Sequence, residues 1–246
     1  MMAKNMLTDQ FMEPLNGART ALIDIHAGDG NLIIERLTSG EPLLVSGTLQ
    51  YFENQGAPTR SLASNSGQVT FMLRGGRAGQ SWFHLPWSAC NGATEWQIQL
   101  NPAVTSDLTA HSDGGNVRLN LAGMTITRLS ADTGGGNVEA VLPDNAADLN
   151  VNVKTGAGNV TVEIGSGLAG SNVITAASGA GNVVVRVPHG VAARIHATTG
   201  LGKAIMDPRF SMIDKSTYQS SDFDSAANKV VITVQSGAGN VSVNTL

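Results

Sequence analysis

His111, Asp132 and Lys154 stand 21 and 22 residues apart, and each lies five residues before an asparagine: Asn116, Asn137 and Asn159. An imidazole, a carboxylate and an amine in one column could hold and pass a proton, and solenoid hydrolases and lyases set acids and bases on an outer face. Shortly after these asparagines and Asn182 come Arg118, Glu139, Glu163 and Arg186, a second charged series. Opposite charges on neighbouring strands more commonly form plain cross-strand pairs. Catalysis would need a groove that gathers the acids, so a noncatalytic chain is the expectation.

Other chemistry is sparse. The histidines are His26, His84, His111, His189 and His196, with no HxH, HExxH or Cys/His spacing. His26 and His111 share an offset from their asparagines but fall on distant repeats. Cys90 has no companion thiol and reads as a small apolar residue. No GxSxG elbow is present. GAGNV at Gly156, Gly179 and Gly237 leads straight into VTV, VVV and VSV, so no helix N-terminus awaits a phosphate. Calcium-binding solenoid repeats need carboxylates in one register, whereas Asp29, Asp113 and Asp132 do not share one. No cofactor and no metal are expected.

The elements that carry these residues follow from the repeat. With its asparagine as marker, the motif recurs at Asn31, Asn116, Asn137, Asn159, Asn182 and Asn240, with Gln68 and Lys203 as decayed copies. Apolar residues fall eight and six positions before the marker and one and three after it, as in Val151, Val153, Val160 and Val162. That alternation has period two, so each unit is strand, glycine corner, strand. A unit of about 22 residues cannot bury its own apolar face, but a stack of them can. The expected fold is all-β: a β-solenoid, β-helix-like, with an irregular aromatic-rich N-terminal half. Gly would make room at each corner, and the marker asparagines would stack as a ladder, each amide satisfying the next.

Residues 1–18 are expected to be an extension or cap, where Phe11, Met12 and Leu15 could form one turn of apolar face that plugs an end or docks elsewhere. Residues 19–106 form the irregular part, with seven of the eleven aromatics between Tyr51 and Trp96. Residues 107–246 form the regular part, interrupted by an insertion at about 207–228. The chain ends inside an apparent strand, VSVNTL, and an uncovered end rung would favour a homodimer through end strands. A net charge of −4 argues against nucleic acid. No apolar run reaches the ~18 residues a membrane span needs. As written the chain is expected to be soluble, cytoplasmic or membrane-associated rather than secreted.

The run NPAVTSDLTAHSDGGNVRLNLAGMTITRLSADTGGGNVEAVLP, then VPHGVAARIHATTGLGKAIM, resembles the toast-rack domain and its adhesin-type relatives, and ARTALIDIHAGDGNLIIERLTSGEPLLVSGTLQYF resembles their opening segment. The resemblance spans about residues 18–246. It implies a bacterial scaffold, sensing or adhesion role at the cell envelope, with an unknown protein or envelope component as partner, and it carries over no site residue. The readings from different classes are a noncatalytic scaffold or sensing domain, an adhesin-like carbohydrate-binding module using Tyr51, Phe52, Trp82 and Trp87 as stacking platforms, and a polysaccharide-active solenoid enzyme.

Overall fold

The structure, a computed structural model, describes residues 5–38, 42–76 and 94–246. Cys90, His84, Trp82 and Trp87 lie outside the described residues. The chain is all-β. Its strands are β1 (Met6–Pro14), β2 (Thr20–His26), β3 (Asn31–Arg36), β4 (Leu43–Phe52), β5 (Thr59–Asn65), β6 (Gln68–Arg74) and β7 (Glu95–Leu100). Paired units follow: β8 and β9 (Thr105–Ser112, Val117–Asn120), β10 and β11 (Ile126–Thr133, Val138–Val141), β12 and β13 (Asn150–Ala157, Val160–Glu163), β14 and β15 (Ser171–Ala180, Val183–Val187). Last come β16 and β17 (Ala192–Leu201, Ala204–Met206), β18 (Phe210–Met212), β19 (Thr217–Ser220), and β20 and β21 (Lys229–Ala238, Val241–Thr245).

Each unit sends its first strand to one sheet and its second to another. The first sheet runs β1-β4-β7-β3-β9-β11-β13-β15-β21-β17, and the second β18-β19-β16-β20-β14-β12-β10-β8-β2-β6-β5. Pairing between units is parallel and places equivalent residues side by side: Val117, Val138, Val160, Val183 and Val241 in the first sheet, and Leu108, Leu129, Val151, Ile174, Ile232 and Ile195 in the second. Both columns belong to one hydrophobic core and are essentially inaccessible. A strand with period-two alternation can bury only one face, which explains why these positions fill the interior while Arg, Glu, Lys and Asn face out.

Spatial order departs from chain order at both ends. The unit ending in Asn240 lies between those of Asn182 and Lys203, because β20 pairs in parallel with both β14 and β16 and β21 with both β15 and β17. Lys203, expected next to Asn182, is therefore on the outermost unit, and the C-terminal strand is covered on both sides rather than exposed. Strand β20, VVITVQ with its inward residues fully buried, gains more from two parallel neighbours than from an open edge. The segment between β17 and β20 supplies the return, and its strands β18 and β19 cap β16 antiparallel.

The N-terminal end repeats this displacement. Strands β2 and β3 lie inside β6 and β7, pairing with β8 and β9 on their other side. Gln68 is not a unit corner: Ser66 and Gly67, with φ of 48° and 85°, make the two-residue turn of the β5–β6 hairpin. Nor do Phe11 and Met12 share a helical face. Strand β1 pairs antiparallel with β4, so Phe11 is buried and Met12 exposed on opposite sides.

Candidate functional site

The corners are held by backbone proximity. A Cβ on Gly136 would lie 2.1 Å from the Gly115 carbonyl oxygen of the preceding unit, so close stacking there admits only glycine. Beside it the marker side chain works across the gap. The Asn31 Oδ1 accepts from the Asn116 backbone N–H at 2.9 Å, and the same contact runs from Asn116 to Asn137, Asn137 to Asn159, Asn159 to Asn182, Asn182 to Asn240, and Asn240 to the N–H of Lys203. The main contact is thus carboxamide to backbone, with side-chain amide contacts added at Asn116 and Asn159.

A second series, buried except for the half-buried Thr199, was missed in the sequence. Ser112, Thr133, Thr155, Ser178, Ser236 and Thr199 each donate a hydroxyl hydrogen bond of 2.7–2.8 Å to a glycine carbonyl of the neighbouring unit. All stand four residues before their markers, a regularity of hydroxyl residues that the sequence displays. These inward-facing polar groups satisfy carbonyls that the corner withdraws from water.

On the outer face of the second sheet, one register column reads Arg74, His26, His111, Asp132, Lys154 across β6, β2, β8, β10 and β12. His26 and His111, placed on distant repeats by their numbers, are on adjacent strands and stack with ring centroids 3.9 Å apart. His111 Nδ1 is 2.6 Å from Asp132 Oδ2, and its Nε2 is 2.9 Å from Asp113 Oδ1. Burial opposes charging of His111, but the hydrogen bonds to Asp113 and Asp132 outweigh it and raise its pKa above the ordinary 6.5. Burial, then the charge of His111 and that of Arg74, lower the pKa of His26. The Arg74 guanidinium is itself engaged by the Asp24 carboxylate.

The remaining expected residues are not gathered with this cluster. Arg118 pairs with Glu139 at 3.0 Å and Arg186 with Glu163 at 3.5 Å, which is plain cross-strand pairing. Phe52 is buried and cannot be a stacking platform, while Tyr51 is half-buried. A serine–histidine contact, Ser216 Oγ to His196 Nδ1 at 3.3 Å, has its aspartate on the serine side, where Asp214 Oδ1 lies 3.5 Å from Ser216 Oγ. A nucleophile needs the acid behind the imidazole to orient it. Among the described residues no catalytic constellation forms. No helix among them is long and apolar enough to cross a membrane.

A groove crosses the outer face of the first sheet at its N-terminal end, over β1, β4, β7 and β3. It is lined by Gln10, Thr48, Gln97, Ser46, Gln99 and Glu35 among others. The rows read Gln10, Thr48, Gln97, Ile33 and Met12, Ser46, Gln99, Glu35, so the groove presents amides, hydroxyls and one carboxylate with an apolar side chain at one end of each row.

Two mixed sheets closing over one core, with hydrogen-bonded glycine corners, define an all-β repeat domain. The N-terminal domain of toast_rack matches residues 2–163, and the chain belongs to the toast-rack family. A second family, described as cell wall-active antibiotics response LiaF, C-terminal, matches residues 144–243. A comparison with curated proteins finds no match. Among solved structures, a protein from Clostridium sporogenes named only provisionally for cell adhesion is similar over 98% of this chain and 100% of its own, at 18% identity and a TM-score of 0.72. That likeness shows the fold. A provisionally named adhesin from Bacteroides fragilis covers 98% of each chain at 13% identity, with a TM-score of 0.32.

Proposed function

We propose that the chain is a noncatalytic, adhesion-type binding module of the bacterial cell envelope: one continuous β-solenoid that contacts an envelope polysaccharide. The observation that carries this reading is the groove over β1, β4, β7 and β3, where Gln10, Ser46, Thr48, Gln97 and Gln99 offer paired donors and acceptors beside the apolar Met12 and Ile33. Sugar hydroxyls suit such neutral groups. With Phe52 buried, the contact relies on hydrogen bonds more than on the aromatic stacking expected from the sequence. The cell-adhesion name of the full-length fold relative supports the same class. Cosedimentation of the purified chain with insoluble cell-wall polysaccharide tests it. Binding should occur and should fall about tenfold in the Gln97→Ala/Gln99→Ala double variant, the effect of losing roughly 1.4 kcal/mol of contact; retention of full binding by that variant overturns the groove.

A second reading is favoured by the match of residues 144–243 to a cell wall-active antibiotics response family. Here the solenoid is a sensing scaffold whose partner is an envelope protein, and its long regular flank is the contact surface. Crosslinking in cells exposed to a cell-wall antibiotic should then join the chain to one defined protein through residues of β8 to β15, and the Gln97/Gln99 variant should leave that product unchanged.

A further inference from the structure

We infer that His26, His111 and Asp113 form a binding site for a divalent transition metal of the zinc class, with Asp132 as a positioning residue. One ligand atom from each of the three lies within 4.8 Å of the others. They come from two paired strands and the corner that follows β8, so the backbone fixes their approach.

The orientation of His111 is the main support. Asp132 Oδ2 sits 2.6 Å from Nδ1, so Nδ1–H donates to it and Nε2 is the nitrogen turned to the other side of the ring. Nε2 lies 2.9 Å from Asp113 Oδ1 and donates its proton there when the ring is charged. A metal ion would take the place of that proton, with Nε2 and the Asp113 carboxylate as its ligands. A carboxylate holding the far nitrogen of a ligating imidazole is the usual outer support of a protein metal site.

His26 completes the set. Its ring stacks on His111 at a half-buried position, and binding would turn it out of that stack. Tetrahedral zinc with bonds of about 2.0–2.1 Å holds ligand atoms roughly 3.3 Å apart, so binding requires His26 to rotate inward from the parallel stack while His111 Nε2 and Asp113 Oδ1, now 2.9 Å apart, open slightly. Two imidazoles and one carboxylate suit Zn²⁺, Cu²⁺ or Ni²⁺ and leave one position for water, whereas Ca²⁺ and Mg²⁺ want oxygen donors throughout. Arg74 would repel the ion, but its charge is countered by Asp24, and the carboxylates of Asp113 and Asp132 stand nearer the ligand atoms than Lys154 on the next strand beyond Asp132. Bound metal would clip β2 to β8, the seam where the chain comes back from its outermost N-terminal unit.

The test is a titration of the EDTA-stripped full chain with ZnCl₂ by calorimetry, with CoCl₂ absorption as the coordination readout. We expect one ion per chain, zinc preferred to calcium by at least ~100-fold. Asp132→Asn should weaken binding by about 10–100-fold while leaving the unfolding midpoint in EDTA nearly unchanged, a separation that a merely structural residue would not show. His26→Gln should lower affinity at least as much and lose the tetrahedral cobalt spectrum. His26 is on the surface, so this variant remains informative even if His111→Gln does not fold. Absence of stoichiometric zinc binding, or zinc binding undiminished in His26→Gln, overturns the site.

Discussion

The imidazoles of His26 and His111 lie face to face, with centroids 3.9 Å apart and planes 18° from parallel, where β2 pairs with β8. The surroundings treat them unequally: Asp113 and Asp132 shift His111 toward its charged form, while burial and that same charge shift His26 toward its neutral form. The pair joins segments separated by the whole excursion through β3 to β7, so its contacts contribute to closing that loop.

His111→Ala, in metal-free protein, removes hydrogen bonds to two carboxylates. Bonds to charged groups contribute about 1.5–3 kcal/mol, and with the side chain 21% exposed the lower end applies. Urea denaturation in EDTA should show a loss of roughly 1.5 kcal/mol. An unchanged midpoint would mean that water replaces the contacts without cost.

Thr155 donates to the Gly136 carbonyl at 2.7 Å from a buried position. Thr155→Val keeps the shape and deletes the hydroxyl, leaving that carbonyl without this donor, for a cost of about 1–3 kcal/mol. Thr155→Ser should recover most of it. Equal stability of the Val and Ser variants would show that the hydroxyl series adds nothing.

Much of the interior was legible because alternation reports which residues face inward. Val117, Val138, Val160 and Val183 fall at a fixed offset, and they do line one column. Adjacency was not legible at the ends. All units carry the same apolar pattern, so nothing local distinguishes β20 beside β14 from β16 beside β14, and the choice is made by burial and by the capping hairpin. The His26–His111 contact was hidden for the same reason. The hydroxyls four residues before each marker were visible as a regularity, yet polar residues on an inward face suggest a loop unless the carbonyls they serve are known.

Gly136→Ala should be severe, because its Cβ would sit 2.1 Å from a backbone oxygen that cannot move without opening the stack. A loss of at least about 2 kcal/mol is expected, while Gly190→Ala, with nothing within 4 Å of the added carbon, should stay within roughly 0.5 kcal/mol. Thermal unfolding of the two variants side by side checks this, and similar midpoints would refute the close-approach account.

The C-terminal return responds to acid. Asp207 accepts from the backbone N–H groups of Arg209 at 2.9 Å and Thr245 at 3.3 Å, and these bonds, that of Arg209 first, lower its pKa below the ordinary 3.8. A depressed folded value means that the stabilisation is complete above the unfolded pKa and is lost as pH falls through the folded one. Amide exchange at Thr245 and Arg209 should therefore accelerate as pH drops below about 4, beyond the intrinsic pH trend. Asp207→Asn keeps one acceptor oxygen and cannot titrate, so it should lose the acid dependence and leave one of the two amides less protected at neutral pH.

Asn159 tests how much the exposed corner series contributes. Its Oδ1 accepts from the Asn182 N–H at 3.0 Å, and its own N–H and Nδ2 donate to Asn137 Oδ1 at 2.8 and 3.3 Å. Were the amide buried, Asn159→Ala would cost about 1–3 kcal/mol; because the side chain is exposed, water can reach the freed N–H, and about 0.5–1.5 kcal/mol is the expected loss. Asn159→Asp separates acceptor from charge. A carboxylate can still accept from the Asn182 N–H, but it loses the Nδ2 donor and faces Asn137 Oδ1 with another oxygen. That variant should be less stable than Asn159→Ala at neutral pH and recover toward it as the carboxylate is protonated, which is the electrostatic reason for a neutral amide at the corners from Asn31 to Asn240, the outermost one, at Lys203, having no further unit to serve.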